Sequence, residues 1–140
     1  MPASSDTTVA KRRNRPYGEL NAMQDRIEIF ESKSVYYNPH GKIMIIIGNG
    51  DQYQQVALCA PKDLAPGKLH TVVYPEDLID LPDGYLTWII EVKGNFHIVE
   101  KGTMTITYGP NNESAEGSYH VTVKGTREEI GGNFKISNPS

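Results

Sequence analysis

From Ile27 onward, hydrophobic and polar residues alternate with a period of two. Ile27 and Ile29 are separated by Glu28, and Val35 and Tyr37 by Tyr36. This is the repeat of a strand whose successive side chains point to opposite faces of a sheet. Ile43 to Ile47 is apolar at every position, as in a central strand covered on both sides. It runs into Gly48-Asn49-Gly50-Asp51, where Asn49-Gly50 fits a type I′ turn and predicts that Gln52 to Ala60 pairs back as a hairpin. Asn38-Pro39-His40-Gly41 reads as a turn, and Lys68 to Tyr74 and Tyr85 to Val92 as further strands.

The last third carries a fourfold local pattern. Gly94-Asn95-Phe96-His97-Ile98, Gly102-Thr103-Met104-Thr105-Ile106, Gly117-Ser118-Tyr119-His120-Val121 and Gly132-Asn133-Phe134-Lys135-Ile136 each read glycine, polar, large apolar, polar, branched apolar. Their starts lie 8, 15 and 15 residues apart, which predicts an antiparallel meander with one tight and two longer connections. Phe96, Ile98, Met104, Ile106, Tyr119, Val121, Val123, Phe134 and Ile136 are then expected on one buried face.

The whole pattern predicts an all-β chain of about nine strands, closed as an antiparallel barrel or folded as a two-layer sandwich. A short helix of one or two turns at Glu19 to Arg26 is the most helix it admits. A parallel α/β fold is excluded because the gaps between strands are too short for crossover helices. Residues 1–16 are rich in Ser, Thr and Arg without apolar periodicity and read as a disordered basic arm, leaving residues 17–140 as one β domain.

Composition changes this picture in three ways. The net charge of −3 divides unevenly: residues 1–16 hold four cations against one anion, +3, and residues 17–140 hold ten against sixteen, −6. A domain of that sign disfavours nucleic-acid binding through its own surface. Lys11 to Arg15 is the one basic run, of the kind that serves nuclear import or touches phosphates. No apolar run approaches the length of a membrane-crossing helix, so no transmembrane segment is expected. Cys59 is the only cysteine, which excludes an intrachain disulfide, and with no secretory signal in the basic arm the reading is cytoplasmic.

Candidate chemistry centres on the polar positions of the glycine-headed segments. His97 and His120 fall at the same place in the pattern, beside Asn95, Thr103, Thr105, Ser118 and Asn133. One strand between them puts their backbones about 10 Å apart, whereas zinc ligands sit about 2 Å from the metal. No third ligand stands in register, so neither a metal nor another cofactor is expected. Two readings of the band remain: a solvated outer surface, or the lining of a barrel interior that orients a small ligand. In the second, Asn95, His97, Thr105, His120 and Trp88 contact the ligand, and His97, His120 or Tyr108 supplies proton transfer for a cyclase or isomerase. Cys59 lies in an apolar run and is expected to be inert, and no Gly-x-Ser-x-Gly elbow is present.

The segment from Gly94 to Ser137 resembles the glycine-headed strands of small calycin-like β-barrels and of bacterial β-sandwich domains of unknown function. The Gly-x-Trp signature of true lipocalins is missing, since Trp88 lies late and follows Leu86-Thr87. The resemblance implies the architecture alone. The leading functional expectation is therefore a non-catalytic module for a small apolar or amphipathic ligand or a protein partner, as a homodimer through an edge strand or aromatic patch. The alternatives are a barrel-pocket enzyme and an interaction protein acting through its basic arm.

Overall fold

The computed structural model describes residues 15–52, 54–81 and 84–138, which form ten strands and no α-helix. They are β1 (Tyr17–Gln24), β2 (Ile27–Ser32), β3 (Ser34–His40), β4 (Ile43–Asn49), β5 (Gln55–Pro61), β6 (Leu69–Tyr74), β7 (Ile89–Val92), β8 (Asn95–Tyr108), β9 (Ser114–Val123) and β10 (Glu129–Ser137). The expected basic arm falls outside the described residues except at its last two positions. No helix among the described residues is long and apolar enough to cross a membrane.

Nine strands run in the antiparallel order β2-β1-β10-β9-β8-β7-β5-β4-β3, with β6 also paired to β8. The result is a nearly closed barrel-like sheet. Strand β8 joins its two halves: the first half of β8 pairs with β7 and belongs with β5, β4 and β3, and its second half lies between β6 and β9. The seam between β2 and β3 is held by Ser32, buried, whose hydroxyl donates to the Asn49 carbonyl and accepts the Ser34 N–H at 3.1 Å.

Three hairpins turn on two residues. Asp25-Arg26 links β1 to β2 with φ of 53° and 68°, and Lys93-Gly94 links β7 to β8 with 50° and 78°. Both match a turn with positive φ at each central residue, whose twist suits a hairpin. Gly41-Lys42 links β3 to β4, so His40 and Pro39 belong to the strand rather than to the expected turn. Asn49-Gly50 does not form the type I′ turn expected of it. Asn49 pairs with Gln55, the Gly50 N–H donates to the Gln54 carbonyl at 2.7 Å, and Gln52 takes the positive φ. The hairpin itself is where the sequence places it.

Two further expectations change. Glu19 to Arg26, read as a helical entrance, is strand and turn: Leu20 and Ala22 alternate inward and β1 pairs on both sides, with β2 and β10. The segments headed by Gly94 and Gly102 are not separate strands joined by a tight connection but parts of β8, interrupted at Val99 to Lys101 by a bulge. One extra residue inverts the alternation. Met104 and Ile106 therefore point inward as expected, and so does Val99, while Phe96 and Ile98 are turned outward, 57% and 44% exposed.

Between the sheet halves the space is occupied by side chains, with Trp88 the largest of them. Its ring stacks on Tyr74 with centroids 4.5 Å apart and planes 20° from parallel, and its indole N–H donates to the Cys59 carbonyl at 3.1 Å. Three buried tyrosines spend their hydroxyls on backbone carbonyls: Tyr37 donates to the Asn112 carbonyl at 2.9 Å, Tyr108 to Pro61 at 2.7 Å and Tyr119 to Asn21 at 2.6 Å. Each gives the core a large apolar surface while leaving no buried hydroxyl unpaired. Gly117 and Gly132 stand where strands press closest: a Cβ would overlap the carbonyl oxygen of Thr105 at the first and of Asn21 at the second.

Candidate functional site

The barrel's outer surface has two characters. Across β6, β8, β9 and β10 the outward row reads Thr71, Thr105, Ser118, Asn133. Thr105 and Ser118 share a hydroxyl-to-hydroxyl hydrogen bond of 2.9 Å, and the Asn133 N–H donates to the Asn21 side chain at 2.8 Å. This is the polar band of the sequence, and it lies on the outside of the barrel. His120 belongs to it, exposed, 3.5 Å from Glu129.

The opposite half carries a different row. Tyr36 pairs with Ile47, Ile47 with Ala57, Ala57 with Ile89 and Ile89 with Ile98, so one side-chain row crosses β3, β4, β5, β7 and β8. Its inward neighbours Ile46, Val56 and Ile90 are fully buried, which fixes the row on the outer face. Four strand spacings make it about 19 Å long. Its ends, Tyr36 and Ile98, are 42% and 44% exposed, Ile47 and Ile89 are partly buried, and Ala57 between them is buried. The next row, Ser34, Asn49, Gln55 and Glu91, is polar and ends at exposed Phe96.

At the Ile98 end the stripe opens into a cleft of about 550 Å³ lined by Asn95, Phe96, His97, Ile98, Gln24 and Glu128, among others. The bulge in β8 gives His97 the parity of buried Val99, apart from the outward Phe96 and Ile98. The Gln24 amide donates to the Glu128 carboxylate at 2.7 Å. That bond, then the Thr126 hydroxyl and the charge of His97, hold the Glu128 carboxyl below its ordinary value.

The residues singled out in the sequence are thereby distributed. Asn95 and His97 share the cleft. His120 lies opposite Thr103 on β8, six residues or about 20 Å along the strand from His97. Thr105 sits midway along the polar face. Trp88 is fully buried against Tyr74. Tyr108 is fully buried too, with burial raising its phenol well above the ordinary value and its hydroxyl spent on Pro61. His97, His120 and Tyr108 are not gathered around one space. Burial likewise pushes the Cys59 thiol up to about 11, and its sulfur contacts the Leu86 carbonyl at 3.2 Å. Among the described residues no group of three or more His, Cys, Asp or Glu side chains is placed to hold a metal.

The sequence reading did not single out Ile47 and Ile89. A signal was present: Ile43 to Ile47 is apolar on both faces, and the expectation was cover on both. On the outer side that cover stops short of the stripe's ends. Comparison with protein-family models, with curated proteins and with solved structures finds no match to this chain, so no relative supplies a functional residue.

Proposed function

We propose that this chain is a non-catalytic binding domain that docks another protein on the stripe Tyr36, Ile47, Ala57, Ile89 and Ile98. The observation that carries it is that a row of apolar residues crosses five strands on an outer face, whereas the row Thr71, Thr105, Ser118 and Asn133 on the other side is hydroxyl and amide. The stripe is long and shallow, the shape of a protein contact, whereas small ligands are enclosed in concave sites. Its flanking row supplies a polar rim, and with the charge of −6 on residues 17–140 the complementary partner surface is neutral or basic around an apolar centre.

The test uses 8-anilinonaphthalene-1-sulfonate as a probe of accessible apolar surface. The full chain is expected to enhance its fluorescence, Ile47→Asp to abolish most of the enhancement, and Thr105→Asp, on the polar face, to leave it unchanged. Photo-crosslinkers at positions 47 and 105 then read the partner: one protein species captured at 47 and absent at 105 supports the reading. Enhancement that is indifferent to Ile47→Asp, or equal capture from both positions, overturns it.

The cleft beside His97 supports a second reading, a small amphipathic ligand with its apolar part on Ile29, Val92 and Val123 and its polar head at Asn95 and His97. Its volume of about 550 Å³ is that of a ligand site. With octyl glucoside below its micelle concentration, a saturable shift of the His97 ring resonances, lost in Ile29→Asp, is the expected result. A linear, unsaturated response discards it.

A further inference from the structure

We propose that β6 is a self-association edge, pairing antiparallel with β6 of a second copy of this chain about a twofold axis at His70. Among the described residues, strand β6 pairs with β8 on one side only. The other edge has a definite set of free groups. The Val73 N–H donates to the Asp77 carboxylate at 2.7 Å and the Val73 carbonyl accepts the Asp77 N–H at 2.9 Å, so Val73 points its main chain away from β8. In an antiparallel pair the direction alternates with a period of two, and β6 and β8 pair without a register shift. Leu69 and Thr71 therefore also turn their N–H and C=O groups to the open edge. Asp77 closes that edge at Val73, and the turn at Gly67, whose N–H donates to the Tyr108 carbonyl at 2.9 Å, closes it at the other end.

What is left between these stops is self-complementary. With His70 opposite His70 of the second copy, Leu69 faces Thr71 and Thr71 faces Leu69, and each facing pair exchanges both main-chain hydrogen bonds. That register uses four donors and acceptors from each copy and leaves the Asp77 cap intact. A register centred on Thr71 would have to break the cap. The side chains agree. Leu69, Thr71 and Val73 share the outer face, Leu69 72% and Val73 38% exposed. In the proposed register Leu69 lies diagonal to Leu69 and Val73 of the second copy, close enough for large side chains to touch. Charge follows the same symmetry: Lys68 precedes the strand and Glu76, Asp77 and Asp80 follow it, so antiparallel pairing brings each copy's ammonium toward the other's carboxylates. An exposed apolar edge strand is a template for another strand, and here the groups available fit a second β6.

The experiment is sedimentation velocity on the full chain over a range reaching millimolar concentration. The expected result is a concentration-dependent species of twice the chain mass. Thr71→Pro removes an edge N–H that β8 does not use, and it is expected to abolish the dimer while leaving the circular dichroism spectrum unchanged. Leu69→Lys, which keeps every backbone group, is expected to do the same and decides the matter should the proline variant unfold. His70→Cys reads the register: under oxidant it is expected to form an intermolecular disulfide faster than Thr71→Cys. A wild-type chain monomeric throughout, a dimer that survives Leu69→Lys, or one lost on Ile47→Asp instead, overturns the proposal. The last outcome would put the contact on the apolar stripe.

Discussion

Replacing Trp88 by alanine is expected to cost about 3 to 5 kcal/mol of unfolding free energy, the range for truncating a large aromatic in a packed core. The site gives little room for relaxation, because the ring lies flat on Tyr74 and so near Gly102 that a Cβ there would come within 3.1 Å of it, where β8 and β9 run side by side. The substitution also strips the Cys59 carbonyl of its indole donor in the middle of β5, a loss of about 1 to 3 kcal/mol when a buried group is left unpaired. Trp88→Phe separates the two contributions: it keeps an aromatic ring for Tyr74 and removes the donor, so its loss is expected near the smaller figure. Urea denaturation followed by circular dichroism measures both. A Trp88→Ala chain less than about 1 kcal/mol below wild type would mean that the ring is not the keystone its burial makes it.

How far the sequence could be read follows from which interactions decide each element. The glycine-headed pattern located β8, β9 and β10 because it reflects two local requirements at once, an alternating face and a backbone without a side chain where strands press together. Gly117 beneath the Thr105 carbonyl is the example. The same pattern misled at Gly94 and Gly102. A bulge at Val99 to Lys101 has no side-chain signature in Val-Glu-Lys, so the inverted parity that exposes Phe96 and buries Val99 was not legible. At β1 the residues Glu-Leu-Asn-Ala-Met-Gln favour a helix locally. Pairing with both β2 and β10 overrides that preference, and such long-range pairing leaves no local trace. Asn49-Gly50 carried the right hairpin and the wrong turn, because the strands' register closes at Gln55.

The candidate site shows the same division. That Thr105, Ser118, His120 and Asn133 share a face could be read from period two. Which face meets water could not, because alternation is unchanged when the sheet is turned over. The apolar stripe is harder still. It exists only because Tyr36, Ile47, Ala57, Ile89 and Ile98, spread over much of the chain, arrive in one cross-strand row. Two local groups supply it, the consecutive strands β3, β4 and β5 and the hairpin of β7 and β8, but the pairing of β5 with β7 that joins them leaves no local trace.

Alkaline pH is expected to unfold the domain cooperatively, and the buried tyrosines set the window. Burial holds the phenols of Tyr37, Tyr108 and Tyr119 neutral well above their ordinary value, and it pushes the Cys59 thiol up to about 11. In the unfolded chain a tyrosine ionises near pH 10 and a thiol about 1.5 units lower. Because the native values are the raised ones, the stability from these groups is fully present below the unfolded values. As pH rises past them, the unfolded chain sheds protons that the native chain keeps, and stability falls. Each group costs at most about 1.4 kcal/mol per pH unit, so the three tyrosines together cost about 4 kcal/mol per unit above pH 10. Cys59 adds its share from about pH 9 until its native value near 11. Against a domain stability of about 5 to 15 kcal/mol, this places cooperative unfolding between about pH 10.5 and 12.5. The measurement is a joint titration of phenolate absorbance and circular dichroism. The signal of these three tyrosines is expected to appear in one step with the loss of β structure, and Tyr119→Phe to lower the steepness by about a third. Phenolate absorbance that reaches its full value while the β signal stays intact would show that these hydroxyls reach solvent without unfolding. In that case the bonds to Asn112, Pro61 and Asn21 would not be what keeps these hydroxyls from solvent.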